Sequence, residues 1–466
     1  MSQTGAPSSN AVARTLFAER ALLAEGWRRD VALGLDAAGL IASVEAGVPP
    51  PPGAERLAGP VVPALPNLHG HSFQRAMAGL AEVVSDGADS FWSWRDAMYR
   101  LVGRLDPEAV EAIAARLFVE LLKGGFGSVA EFHYLHHGPG GVPYADPAEL
   151  SRRILAAAAE AGIGLTLLPV FYAHADFGGV PPTPGQARFV HDPDGFARLR
   201  DALVADTEGT GVRLGTAIHS LRAATPDEMA AVLSGAPHGP VHIHAAEQPR
   251  EVEACLAVHG ARPVRLLLDS FGADARWCVV HATHTDAGEL QDLARSGVVA
   301  GLCPATEVNL GDGIFPATVF RAAGGTFGIG TDSHVATGVA EELRTLEYGQ
   351  RLRDLGRNRL GAGPGTSVGR TLLEAALAGG ARALGRPAGG LAPGRPADLV
   401  VLDGDDPMIA TAQGDAVLDR WIFALGGRPA VRDVMVGGVW RVRQGRHAAD
   451  AAIDRRFAAT LRRLAA

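Results

Sequence analysis

Cysteine is scarce: three in 466 residues, which is no basis for a disulfide-stapled fold. Cys255, Cys278 and Cys303 form no CxxC pair and suit a reducing compartment, with Cys278 and Cys303 expected inside buried strands. No uninterrupted apolar segment is long enough for a membrane helix. The opening Met1-Ser2-Gln3-Thr4-Gly5 lacks the basic head and apolar run of a signal peptide. These absences predict a cytoplasmic protein with no membrane partner. Basic blocks interleaved with aromatics are missing too, on a chain of net charge −8, which argues against nucleic acid as a partner. Lysine is nearly absent, Lys123 being the only one.

What is present is globular: 47% hydrophobic residues, on a length that predicts one large domain and a smaller one. Leu16-Phe17-Ala18 and Val31 to Leu35 read as short strands, with a turn at Ala38-Gly39 before Ile41. Pro49 to Pro52 reads as a stiff linker. From Val61 the pattern changes to apolar runs of strand length alternating with amphipathic runs of helix length. The strand candidates are Val61–Leu68, Ser128–Tyr134, Gly164–Phe171, Val212–His219, Pro240–Ala246, Trp277–Ala282, Val298–Cys303 and Thr326–Thr331.

Helix starts are marked by Asp106-Pro107, Asp146-Pro147-Ala148-Glu149 and Thr225-Pro226-Asp227-Glu228. Each offers a capping oxygen and a proline at the first helical position, and the last two add a glutamate for a capping box. Eight such units predict an α/β fold, a (β/α)8 TIM-like barrel over 61–390, with a doubly wound open sheet as competitor. Short-strand patterning returns at Ala397–Asp403 and in a hairpin around Gly437-Gly438. The expectation is one small β-sandwich module built from both chain ends, 11–60 and 391–448, rather than two modules, followed by a helix in 449–466.

The chemistry-bearing stretch is Pro66-Asn67-Leu68-His69-Gly70-His71. Residues at i and i+2 of a strand share a face, so both imidazoles can reach one ion. Further candidates end later strands: His242 and His244 on the fifth, either allowed by parity with His244 nearer the end; His281 on the sixth; Asp332 on the eighth. A barrel brings these ends together. His69, His71, His244 and Asp332 would make an N/O set suited to zinc, with iron or manganese also open. No predicted strand carries a lysine to bridge two metals, which favours one ion. Glu247, three residues beyond His244, could shuttle a proton, and His281 could orient or help deprotonate a water. His133, His136, His137, His174, His238, His259, His284 and His334 are expected to be ordinary polar residues.

This His-x-His, His, His, Asp order resembles the amidohydrolase superfamily over nearly the whole chain. His244-Ala245-Ala246-Glu247 and the absent strand lysine resemble its mononuclear aminohydrolase branch. Four segments are similar to formimidoylglutamate deiminases of histidine degradation: His69–Ala76, Glu131–Tyr134, His219–Arg222 and Thr306–Gly313. The resemblance implies one Zn²⁺ per subunit, Glu247 and His281 as catalytic residues, and Gln74, Tyr134, His219 and Arg222 in the substrate pocket. The implied substrate is a small anionic amidine, N-formimino-L-glutamate, hydrolysed to N-formyl-L-glutamate and ammonia. Arg222 offers a fork for one of its carboxylates. Rival readings are the same chemistry on a guanine, cytosine or triazine-type substrate, or a barrel that binds without catalysing. Such barrels often form homodimers, which the sequence leaves open.

Overall fold

Two sheets organise the chain in a computed structural model that describes residues 11–84, 89–387 and 389–465. The N-terminal stretch read as lacking a signal peptide lies outside those residues. One sheet is parallel: Leu65–Gly70, Phe126–His133, Gly164–Phe171, Thr216–Ser220, Val241–Ala245, Trp277–His281, Val299–Leu302 and Thr326–Ile329 pair in chain order, each with the next. The last meets the first through a bridge between Gly70 and Asp332. His69 accepts the backbone N–H groups of Thr331 and Asp332, and His71 N–H donates to the Asp332 carbonyl. Asn67 ties the seam, donating Nδ2–H to Thr331 Oγ1 (2.6 Å) and accepting from Thr331 N–H. The sheet therefore closes, and the open-sheet alternative is ruled out.

The second sheet is mixed and draws on both chain ends. Its order runs Arg446–His447, Val439–Arg443, Val431–Val436, Leu399–Leu402, Val61–Pro63, Arg14–Leu23, Gly26–Leu35 and Ile41–Glu45, with Glu55–Arg56 beside Arg14–Leu23. It has its own core of Leu16, Leu33, Ile41, Val61, Leu399, Val401 and Met435. This is the accessory β-sandwich expected from the terminal strands.

Three expected elements differ in detail. The run Val61–Leu68 is split between the sheets: Val61–Pro63 pairs with Leu399–Val401, whereas Leu65 begins the barrel. Pro63 has no N–H to donate, and the direction changes at Ala64, whose N–H goes to Asp398. The run Val212–His219 is interrupted at Gly215, where a Cβ would sit 2.5 Å from Leu168 Cδ2. The third helix starts at Glu149, because Asp146 Oδ1 accepts from Ala148 N–H in a turn and so does not cap the helix itself. By contrast, Asp106 caps Pro107–Lys123 and Thr225 with Glu228 forms the expected capping box on Pro226–Ser234. Cys278 lies within its strand; Cys303 is buried one residue past Leu302.

The C-terminal helix Asp450–Ala465 lies along Pro107–Lys123, joined by Arg116–Asp454 and Arg463–Asp106 ion pairs. Lys123 pairs there with Asp450 (2.6 Å). The sole lysine is thus committed to a helix–helix contact. No described helix is long and apolar enough to cross a membrane.

Candidate metal centre

His69, His71, His244 and Asp332 meet at the C-terminal mouth of the barrel. One ligand atom from each lies within 4.8 Å of all the others, and all four residues are buried. His69 Nε2 is 3.2 Å from His71 Nε2 and 3.0 Å from His244 Nε2, while Asp332 Oδ1 lies 3.2 Å from His71 Nε2 and 3.5 Å from His69 Nε2. His71 donates Nδ1–H to the Phe132 carbonyl and His244 donates Nδ1–H to the His219 carbonyl, both at 2.9 Å. Their Nε2 lone pairs therefore face inward together, an arrangement that a cation between them relieves. Burial pushes His69 down to about 3 and His244 well below the ordinary imidazole range. Burial opposes ionisation of Asp332, but the His69 and His71 rings outweigh it and hold its carboxyl well below the usual range. Neutral imidazoles and an ionised carboxylate are the states a divalent ion requires.

The four donors belong to three barrel segments. Gly70, between the first two histidines, accepts no side chain: a Cβ there would lie 2.4 Å from the His334 ring. His334 is itself pinned by Thr331 Oγ1 at 2.7 Å. The choice on the fifth strand, open by parity, falls to His244; His242 sits lower in the barrel and donates Nε2–H to the Ala383 carbonyl. Among the described residues, five of the nine non-glycine residues with left-handed φ are Ala246, His281, Ala282, Asp332 and His334. Such backbone strain concentrated at strand ends is characteristic of functional sites.

Glu247 and His281 stand beside this set. His281 Nε2 is 3.6 Å from Glu247 Oε1 and 3.8 Å from Asp332 Oδ2. Burial raises the Glu247 pKa, with Asp332 and Glu251 adding to it and His281 opposing. For His281 burial acts downward, but Glu247, Glu307 and Asp332 together raise it. The backbone N–H groups of Ala246 and Glu247 donate to the buried Glu251 carboxylate, which fixes the loop that carries Glu247.

A cavity opens from here, with about 570 Å³ of space not filled by protein atoms when the solvent at its mouth is included. Gln74, Tyr134, His219 and Arg222 all line it, with Gln74 Nε2 donating to the Tyr134 hydroxyl at 2.9 Å. Thus all ten residues singled out in the sequence converge. Several others were missed. Phe132 packs on three metal-set imidazoles, at 5.0 Å from His69, 5.2 Å from His71 and 4.5 Å from His244. Glu307 accepts from His281 Nδ1 (3.4 Å) and Cys303 N–H (2.9 Å). Arg95 enters the cavity from the helix Phe91–Val102, together with Trp94, Met98 and Tyr99. Two of the six tryptophans and a Ser90 cap mark that helix in the sequence, but nothing local says which way it folds.

Comparison with known proteins agrees with this geometry. The amidohydrolase family model matches residues 61–441, and the model of the N-terminal domain of formimidoylglutamate deiminase HutF matches residues 13–58. A formimidoylglutamate deiminase from Pseudomonas aeruginosa is 57% identical, over 96% of this chain and 98% of its own. An 8-oxoguanine deaminase from the same species is 30% identical over 83% and 82%. Among solved structures, an amidohydrolase from Brucella melitensis superposes with a TM-score of 0.94 at 51% identity, covering 97% of this chain and all of that one. An adenosine deaminase from Xanthomonas campestris, solved with bound zinc, shares the fold (TM-score 0.81, 23% identity, 97% and 98% covered). This chain belongs to the amidohydrolase family, and along almost all of its length it is homologous to a formimidoylglutamate deiminase.

Proposed function

We propose that the protein hydrolyses N-formimino-L-glutamate to N-formyl-L-glutamate and ammonia, as in histidine degradation, with one zinc ion held by His69, His71, His244 and Asp332. The observation that carries the substrate is at the far side of the cavity. Arg222 and Arg95 face it, each with a buried Nε lacking any partner, and neither pairs with a carboxylate among the described residues. Two unpaired guanidinium groups suit a substrate with two carboxylates. A purine ring would offer neither guanidinium a carboxylate to pair with, which disfavours the deaminase activities named for the relatives near 30% identity.

Three nitrogens and one carboxylate favour zinc over harder ions. When bound, zinc supplies a Lewis acid that brings the pKa of a coordinated water towards 7. The chain's own groups do the rest. Glu247 accepts one proton of the attacking water as the new C–O bond forms at the formimino carbon. His281, its pKa raised, offers an Nε2–H donor to the oxygen that gains charge. Glu247 then passes that proton to the terminal nitrogen and relays the remaining hydroxyl proton to it as the C–N bond breaks and the C=O forms, so that both water protons leave on ammonia. Arg222 and Arg95 hold the glutamate carboxylates, while Gln74, Tyr134 and His219 shape the space between.

The sample to assay is purified protein with its metal content measured. About one zinc per chain and turnover of N-formimino-L-glutamate, with none of guanine or cytosine, is the expected result; ring turnover without formiminoglutamate turnover would refute the assignment. Arg222→Ala should lower kcat/KM by roughly 10–100-fold, as expected for losing a charge-assisted hydrogen bond. A value within about twofold of wild type would mean that Arg222 is no carboxylate anchor.

The parts we propose follow the sheets: a β-sandwich from 11–60 and 391–448 that also takes Val61–Pro63, a barrel over the rest of 61–390 beginning at Leu65, and a closing helix in 449–466. A cytoplasmic location fits three buried free cysteines. The reading includes a homodimer, since exposed apolar area on such barrels often supports one.

A further inference from the structure

Trp92 gathers three cations around one ring. The guanidinium carbon of Arg95 lies 4.5 Å from its centroid, that of Arg250 4.7 Å and that of Arg222 5.8 Å. These arginines come from three separate elements at the barrel mouth. Arg95 is on the helix that follows the first strand; Arg222 follows the fourth; Arg250 is in the first turn of Pro249–His259, three residues past Glu247. None forms an ion pair with a carboxylate among the described residues, and Arg95 Nε and Arg222 Nε are buried without partners. Like charges repel, and although the carboxylates of Glu251, Glu247 and Asp176 act on Arg222 from a distance, none forms an ion pair with it, so something else must hold the three guanidinium groups in place. The electron-rich face of an indole does so without neutralising them. Two of the three face the cavity; Arg250 is exposed outside it.

We propose that Trp92 is the positioning residue of a dicarboxylate gate: its indole holds Arg95 and Arg222 at the spacing that accepts a dianion, and Arg250 on its outer side draws that dianion in. This rests on the amidine-dicarboxylate reading above and adds how the site selects it. A carboxylate in place of Trp92 would neutralise the same cations and leave them unavailable to substrate. The aromatic ring keeps them both ordered and unsatisfied. Because the ring also links the helix carrying Arg95 to the segment that follows Glu247, the charge pattern is set by one contact point between three elements.

The test compares kcat/KM for N-formimino-L-glutamate with that for its analogue carrying a side-chain carboxamide. Trp92→Leu should lower the ratio of the two at least tenfold, mainly through KM, and Trp92→Phe should fall in between. A purely structural role would depress both substrates together; a ratio within twofold of wild type in both variants overturns the gate. Arg250→Ala, at an exposed position, should flatten the dependence of kcat/KM on ionic strength, and an unchanged slope removes Arg250 from the proposal. Calorimetry with the unreactive dicarboxylate N-acetyl-L-glutamate separates the two readings. If wild type does not turn over formiminoglutamate yet binds this probe at least tenfold more tightly than Trp92→Leu, the substrate assignment falls and the gate stands. Equal binding by wild type and variant overturns the gate alone.

Discussion

Glu247→Gln keeps its metal and loses turnover, with kcat reduced between about 10²- and 10⁴-fold, the range of a lost general acid–base group. Glutamine is nearly isosteric and leaves the Glu247 backbone N–H bonded to Glu251, so the loop and the four metal-set residues stay in place. What it cannot do is accept the water proton and deliver it to the leaving nitrogen. The pH profile adds a second readout. Burial raises the Glu247 pKa, so the acid limb of kcat/KM should lie above the ordinary carboxylate range near 4.3, activity falling as pH drops and Glu247 becomes protonated. In Glu247→Gln that limb should vanish. A near-normal kcat would move the shuttle to another group, and Asp312, whose carboxylate lies within 4.8 Å of Glu247 and His281 ligand atoms, would be the group to examine.

Stripping the metal should abolish activity and lower the melting temperature, with zinc restoring both. The stability effect follows from the inward-facing nitrogens: His69 Nε2 is 3.0–3.2 Å from two other Nε2 atoms, and two of those rings are locked by Nδ1–H bonds to carbonyls. Without a cation the lone pairs are opposed among buried side chains. An ion present at a thousandfold excess over its Kd stabilises the folded state by about 4 kcal/mol. Asp332→Asn should behave as a partial version, retaining the shape and hydrogen-bonding capacity but removing the one anionic donor, so that zinc content falls along with activity. Full activity and an unchanged melting temperature after exhaustive chelation would rule out the metal centre as described.

Much of this architecture was legible because it depends on short-range periodicity. In extended backbone i and i+2 share a face, so His69 in the first strand and His71, one residue past its end and still extended, point the same way. Strand-length runs separated by capped helices implied parallel strands, and in a barrel of parallel strands polar residues at their C-terminal ends converge. Parity could not separate His242 from His244, because both satisfy it. Depth along the barrel decided, with His242 held by the Ala383 carbonyl and His244 reaching the mouth. The run at Val61 misled for a related reason: its apolar pattern continues unbroken through Ala64, while the pairing partner changes from one sheet to the other.

By itself, then, the amino-acid order determined the strand and helix pattern, the small module at the ends and, apart from the choice between His242 and His244, the metal-set residues that meet at the mouth. Tertiary structure alone decided that the helix Phe91–Val102 folds back over the cavity to bring Arg95 and Trp92 to Arg222, and that Glu307 backs His281. The reason is physical: periodicity fixes the direction of a side chain within its own element, but these contacts join different elements, 26 positions apart for His281 and Glu307 and more than a hundred for Trp92 and Arg222, and no local pattern encodes them.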